Sequence, residues 1–185
     1  MFVKNNNIHV VGAISNGTIF QATYWINGAA TRISALDSEA GDITVNENGV
    51  HLIFNENEIS GPYGGFPLVL KYWNEGVIRT ISNQRADQGN ILVKGTDVYI
   101  SGSERTDGSS SIFAACYWKN GVKTVFPGVT TNTCANIKMG SNGDLFVASK
   151  LVYSGVAPLT YWQNNIKKTI GRSNESFIAF DINKK

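Results

Sequence analysis

Short stretches of alternating apolar and polar residues follow one another along the whole chain, separated by turn residues. In the most regular copy, Ile137 and Met139 share one face of a strand, a Ser-Asn-Gly turn follows at 141–143, and residues 145–149 form a nearly continuous apolar run. Alternation with period two predicts a half-buried strand, and an apolar run bounded by turns predicts a strand buried on both faces. No window sustains the apolar spacing of an amphipathic helix, so the pattern predicts an all-β chain.

The same order of strands recurs about every 46 residues and is marked by a Tyr-Trp pair. The tryptophans of these pairs are spaced by 48, 45 and 44 residues and lie at Trp25, Trp73, Trp118 and Trp162. Four short strands per period are typical of one blade of a β-propeller. We therefore predict a single β-propeller domain, or a segment of one, over residues 1–185. It is built of four-stranded antiparallel blades, with four repeats at approximately 1–39, 40–88, 89–134 and 135–175 and a surplus terminal strand at 176–183.

Two kinds of connection separate the predicted strands. Tight turns such as Asn27-Gly28 and Asn120-Gly121 use residues that tolerate positive φ and join strands as hairpins. The other connections vary in length, for example 55–65, 82–88 and 103–111. Up-and-down strands place alternate connections at opposite ends, so the variable connections share one face, which is the candidate binding surface.

Charged and aromatic residues in these variable connections are the candidate ligand-binding residues. They are Glu56, Tyr63, Arg85, Asp87, Glu104, Arg105, Asp107 and Tyr153. Two carboxylates at a suitable separation would be enough for glycoside hydrolysis, although charges on loops are more often simply solvated. No catalytic motif or metal-ligand spacing occurs, so we predict no catalytic residue, no metal site and no cofactor.

The positions of the histidines, the Tyr-Trp pairs and the cysteines favour a role in packing over a role in catalysis or binding. His9 and His51 occupy the repeat position that Tyr99 and Phe146 fill elsewhere, which indicates a site for a flat side chain. The Tyr-Trp pairs precede hairpin turns, which favours packing between blades over stacking on sugars. The two cysteines, Cys116 and Cys134, are too few for a disulfide framework and are expected to be buried thiols.

The repeated element resembles a known group of proteins. Residues 97–102, followed by Tyr117-Trp118-Lys119-Asn120-Gly121, resemble the repeats of uncharacterised secreted β-propeller proteins of Bacteroidetes and related bacteria. More distantly, the strand and turn order is similar to NHL-type and six-bladed-lactonase-type blades. The resemblance covers essentially the whole chain and implies the fold and an extracellular or periplasmic location, but no ligand. The relatives usually have more blades and a secretion signal, whereas residues 1–7 lack the features of a signal peptide, so the location stays open.

Composition narrows the classes of partner. The 16 basic and 14 acidic residues are scattered and give a net charge of +2, so we expect no nucleic-acid partner. No apolar run approaches the roughly 18 residues of a membrane span.

Three functional hypotheses remain. The leading one is a non-catalytic binding or interaction module that presents the variable loops to a glycan, peptide or protein partner. The first alternative is a glycoside hydrolase or lyase-like propeller enzyme. The second is a portion of a larger assembled propeller without independent activity. The strand pattern begins and ends on the same strand type, which leads us to expect self-association into a homodimer that completes a larger ring.

Overall fold

The protein is described here by a computed structural model that covers residues 1–57, 68–106, 113–130, 132–151 and 160–169. These residues form fifteen β-strands and no helix, which confirms the predicted all-β class. The strands are β1 (Phe2–Lys4), β2 (Asn7–Ser15), β3 (Phe20–Ile26), β4 (Ala29–Arg32), β5 (Ser38–Asn46), β6 (Gly49–Asn57), β7 (Leu68–Asn74), β8 (Val77–Lys94), β9 (Asp97–Arg105), β10 (Phe113–Lys119), β11 (Val122–Thr130), β12 (Asn132–Met139), β13 (Leu145–Leu151), β14 (Thr160–Gln163) and β15 (Ile166–Thr169).

All strand pairs among the described residues are antiparallel and lie in three sheets. Two four-stranded sheets have the orders β1-β2-β3-β4 and β12-β13-β14-β15, and a seven-stranded sheet has the order β11-β10-β9-β8-β7-β6-β5. Strand β8 pairs with β7 through residues 77–85 and with β9 through residues 86–94. We name the packing units group I (β1–β4), group II (β5–β7 and residues 77–85), group III (residues 86–94 and β9–β11) and group IV (β12–β15).

The connection predicted at 82–88 is not a loop. The chain runs through it as the middle of the 18-residue strand β8, with register shifts at Val69/Leu70/Lys71 on the β7 side and at Gln88/Ile91 on the β9 side. Residues 82–88 contain neither glycine nor proline, so nothing in this stretch forces a turn. Strands β6 and β9 likewise extend to Asn57 and Arg105, past the predicted loop starts.

The tight turns are as predicted, and their side chains add a contact that the pattern did not reveal. Asn27, Asn120 and Asn164 have φ near +50°. Each side-chain oxygen accepts a hydrogen bond from the backbone N–H at the start of the second strand of its group, at 2.8–2.9 Å. In group II Glu75 takes this place, with φ +46° and a 2.6 Å bond from the Val50 N–H. The repeated turn residue therefore also ties two hairpins together.

Three hydrophobic clusters lie between successive groups. Tyr24 and Trp73 share the cluster between groups I and II, and Tyr72 and Trp118 share the one between II and III. The cluster between III and IV holds Tyr117 and Trp162. Adjacent residues of a strand point to opposite faces, so the pairs at 72–73 and 117–118 each contribute to two successive interfaces. The predicted packing role is confirmed for these pairs and for Tyr24 and Trp162, whereas Trp25 and Tyr161 are only half-buried.

The histidine position is also a packing site. His9 stacks on Tyr24 and His51 on Tyr72, with ring centres 5.9 and 6.0 Å apart. In group IV, Phe146 stacks in the same way on Tyr161. A flat ring thus covers the tyrosine of its own group.

Among the described residues, the substantial contacts between groups join I to II, II to III and III to IV, and no closed ring or barrel is found. The expected surplus strand at 176–183 lies outside the described residues.

Candidate binding cleft

A cleft of about 510 Å³ lies at the end of the sheets opposite the Asn-Gly hairpin turns. It forms where β2 and β6 end and where β3, β5 and β7 begin, with β8 contributing one residue. Its lining residues are Ala13, Phe20, Asp37, Ser38, Glu39, Asn55, Asn57, Leu68 and Gln88. The cleft therefore opens at the end of the sheets where the sequence predicts the candidate binding surface.

Asp37 holds one wall of the cleft in place. Its Oδ1 accepts a hydrogen bond from the Phe20 backbone N–H at 3.1 Å, and its Oδ2 accepts one from Asn57 Nδ2 at 2.6 Å. The Asn57 N–H also donates to the Asp37 carbonyl at 2.8 Å. Both carboxylate oxygens thus accept bonds from the protein, and the residue joins group I to group II.

Gln88 supplies a polar atom with spare hydrogen-bonding capacity. Its Nε2 donates to the Glu39 carbonyl at 3.3 Å, whereas its Oε1 is buried and accepts no hydrogen bond from the described part of the protein. A Cβ at Gly41 would lie 2.4 Å from this side chain, so glycine leaves the room that Gln88 occupies. A buried amide oxygen without a protein donor is usually paired with a water molecule, and a ligand hydroxyl that replaces this water would donate in its place.

The apolar part of the lining is a flat ring beside an aliphatic side chain. Phe20 is 59% exposed, although it lies at the start of a strand whose next four residues are buried. Leu68 is half-buried at the start of β7. The cleft therefore combines an accessible aromatic face with amide, hydroxyl and carboxylate groups.

Two of the predicted ligand-binding residues, Glu56 and Glu104, are buried on strands rather than solvated on loops. Glu56 accepts hydrogen bonds from the Ser34 hydroxyl and the Lys71 ammonium group. Glu104 accepts a 2.5 Å hydrogen bond from the Ser82 hydroxyl and a bond from the Lys123 ammonium group.

The two arrangements are equivalent. In each, the serine belongs to the preceding group and the lysine to the same group as the glutamate. We call them the Ser-Glu-Lys bridges; they join group I to II and group II to III.

Three further predicted residues lie near the second bridge on β8 and β9. Arg85 is exposed, and its guanidinium carbon lies 5.7 Å from the centre of the Phe113 ring. Asp87 is half-buried on β8; burial raises the pKa of its carboxyl, and the nearby Arg85 charge opposes that rise. Arg105 is half-buried as the last residue of β9, opposite Phe113. None of these residues lines the cleft.

The remaining predicted site residues, Tyr63, Asp107 and Tyr153, lie outside the described residues.

Several of the predicted site residues are the charged neighbours of the residues that line the cleft. Asn55 and Asn57 flank Glu56, and Gln88 follows Asp87. Side chains alternate between the two faces of a strand, so moving by one residue changes the face. Strand β6 is buried on both faces, so its alternation places the asparagines and the glutamate on opposite faces but does not show which face meets the cleft.

A second cavity, of about 390 Å³, lies near the hairpin turns between groups II and III. Its lining includes Tyr72, Arg79, Thr96 and Asn120. Within the described ranges, none of its lining side chains has a buried polar atom without a partner. The cleft near Gln88 is therefore the better candidate for a ligand.

The described residues contain no group of three or more His, Cys, Asp or Glu side chains placed to hold a metal ion. They also contain no helix of the length and apolarity that a membrane crossing requires.

No protein-family model matches the chain, and no curated protein matches it significantly.

Proposed function

We propose that this protein is a non-catalytic binding module of the β-propeller type, and that it binds a glycan in the cleft near Gln88. The observation that carries the proposal is the cleft itself. It has about 510 Å³ of space, an accessible aromatic ring and a buried amide oxygen without a donor, all at the end of the sheets predicted to carry the binding loops.

The propeller part of the proposal rests on how the strands pair and stack. Each group contains four consecutive antiparallel strand segments, and the groups pack face to face in chain order. The fourth-strand segments β4, 77–80 and β15 are exposed, as expected for strands at the outer rim. In this proposal the groups are blades, and the four sequence repeats correspond to them.

A glycan fits the chemistry of the lining better than an apolar or highly charged ligand. Sugar hydroxyls donate and accept hydrogen bonds, and Gln88 Oε1 has no donor within the described residues, whereas the Asn55 amide is already bonded to the Ala86 carbonyl and the Gln88 N–H. The apolar face of a sugar ring packs well on an exposed aromatic ring such as Phe20. Small-molecule sites are usually lined mainly by apolar and aromatic side chains with a few polar groups, and the more polar lining of this cleft suits a ligand rich in hydroxyl groups.

The arrangement of carboxylates favours binding over hydrolysis. Glycoside hydrolysis needs two carboxyl groups that face the scissile bond, one of them available as a proton donor. In the cleft, both oxygens of Asp37 accept hydrogen bonds from Phe20 and Asn57 and hold the wall together. Asp37 therefore has the contacts of a structural carboxylate, which leaves Glu39 as the other carboxylate among the described lining residues, one fewer than the two that hydrolysis needs.

The test is a glycan array followed by calorimetric titration of the best ligand, with variants that alter the cleft. We expect Phe20→Ala and Gln88→Leu each to weaken binding at least about tenfold, equivalent to roughly 1.4 kcal/mol, with the melting temperature little changed. Val122→Ala is the matched control, because Val122 is 72% exposed and does not line the cleft.

Two results would contradict the proposal. Turnover of chromogenic glycosides by the wild-type protein would favour the enzymatic alternative. Glycan binding that both cleft variants leave unchanged would remove the cleft as the site.

A further inference from the structure

The three interfaces between groups in the described part of the chain follow one rule. The face of one group that carries its tyrosine packs on the face of the next group that carries its tryptophan. Tyr24 and Trp73 illustrate it, with ring centres 6.0 Å apart between groups I and II. Tyr72 with Trp118, and Tyr117 with Trp162, occupy the matching clusters. The rule leaves one tryptophan face, on group I, and one tyrosine face, on group IV, outside these interfaces.

The tryptophan face of group I is apolar and exposed. Strand register places Val3, Ile8, Val10 and Trp25 on this face, because Val3 pairs with Ile8 and Val10 pairs with Trp25. The exposed fractions of Val3, Ile8 and Val10 are 60%, 49% and 36%. Neighbouring exposed apolar side chains of this kind are typical of an interaction surface.

The matching positions in the other groups are buried or partly buried. Val50 and Leu52 of group II correspond to Ile8 and Val10, and they are 8% and 0% exposed. At the Val10 position, Ile100 and Val147 of groups III and IV are each 1% exposed. Group I thus repeats a surface that is covered in every other group.

The tyrosine face of group IV is its counterpart. Phe146 and Tyr161 stack on this face with ring centres 6.4 Å apart, and both are only half-buried. The corresponding tyrosines of groups I to III are 5–8% exposed. The side chains of this face therefore match those of an internal interface, but they are not buried as those are.

We propose that a second copy of this chain covers these two faces. The tyrosine face of group IV of one copy packs on the tryptophan face of group I of the other. Tyr161 of one copy then meets Trp25 of the other, as Tyr24 meets Trp73 within the chain. Two tryptophan faces packed on each other would have no counterpart among the three internal interfaces. A head-to-tail contact of this kind forms a closed ring when the rotation between copies closes, and two copies would give eight groups.

The first test is the mass of the full 185-residue chain by light scattering at micromolar concentration. We expect a dimer that Val10→Asp dissociates, raising the dimer dissociation constant at least about a hundredfold, because the interface would bury an unpaired carboxylate. Val3→Asp, on the edge strand β1, is a second variant with less risk to folding. Val122→Asp is the control, because the same change lies on an exposed edge strand outside both faces.

A mixing experiment separates head-to-tail association from other modes. Val10→Asp leaves the group IV face intact, and Tyr161→Asp leaves the group I face intact. Each variant alone should be monomeric, whereas an equimolar mixture should recover one intact interface and form a mixed dimer. Restoration upon mixing supports the proposal, and failure of Tyr161→Asp to dissociate the dimer overturns it.

Tryptophan fluorescence gives a readout on the unmodified chain. Trp73, Trp118 and Trp162 are buried, so Trp25 should dominate changes in acrylamide quenching. Quenching should increase as the protein is diluted through its dissociation constant, and Trp25→Phe should abolish that increase. A wild-type chain that stays monomeric over the whole concentration range would overturn the proposal, even if glycan binding in the cleft is found.

Discussion

Replacing Glu56 by alanine removes the carboxylate at the centre of the Ser-Glu-Lys bridge between groups I and II. The side chain is 5% exposed, and the Lys71 side chain that donates to it is 14% exposed. Removing one partner of a buried ion pair typically costs about 3–5 kcal/mol, because the remaining charge loses that interaction. Lys71 keeps some access to water and a further interaction, which places the expected loss of unfolding free energy near the lower limit, at about 3 kcal/mol.

The equivalent change at Glu104 should lower the free energy of unfolding by a smaller amount. Its partner Lys123 is 40% exposed, so the ammonium group can turn into solvent when the carboxylate is removed. The expected loss of unfolding free energy is then about 2 kcal/mol, which is typical of one hydrogen bond to a charged group. Here that bond is the one that the Ser82 hydroxyl donates to Glu104. Glu56→Gln should lie between Glu56→Ala and wild type, because the amide oxygen still accepts from Ser34.

The assay is urea unfolding followed by circular dichroism at a fixed protein concentration. Glu47→Ala is the control; Glu47 is an exposed turn residue, and such substitutions usually change stability by less than about 0.5 kcal/mol. The expected order of loss is Glu56→Ala, then Glu104→Ala, then Glu47→Ala. Values for the first two that match the control would refute the reasoning, and the glutamates would be solvated charges as the sequence first indicated.

Three further changes test other parts of the fold. Burial lowers the pKa of His51 below its ordinary 6.5, although Glu75 and Glu47 oppose the shift, so the unfolded chain binds more protons. Stability should fall as the pH drops from about 6.5 to the lowered pKa, and His51→Tyr should flatten this dependence in urea unfolding at several pH values. Gly102→Ala should lower the free energy of unfolding by about 1–3 kcal/mol, because the new Cβ would lie 2.5 Å from a backbone carbonyl oxygen. Gly12→Ala, at the matching repeat position with 3.6 Å to its nearest neighbour, should be nearly neutral in the same thermal melts. Asn120→Ala should lower the free energy of unfolding by about 1–2 kcal/mol, because it loses both a tolerated positive φ and the hydrogen bond from the Val98 N–H at the start of β9. Asn120→Gly should lower it by less, and equal losses would show that φ contributes little.

The predictions from sequence are least accurate at the end of the strands that carries the cleft. Glu56 and Asp87 are candidates because they are charged residues of the variable connections, whereas Asn55 and Gln88, one residue away, line the cleft. The burial of Glu56 depends on Ser34 and Lys71, which are 22 and 15 residues away in the chain. No local pattern reports such a meeting, because it depends on how two groups stack and twist.

The sequence by itself determined the features that depend on a few neighbouring residues. Alternation of apolar residues specifies strands and their buried faces, and Asn-Gly pairs specify turns because few residues tolerate positive φ. The Tyr-Trp period specifies that each strand group presents two different aromatic faces. Only the tertiary structure decided that β8 continues from group II into group III, which carboxylates are buried, and that the Trp25 face is exposed while its equivalents are covered. Those outcomes depend on contacts between groups far apart in the chain, whose geometry is set by sheet twist and packing rather than by the local sequence.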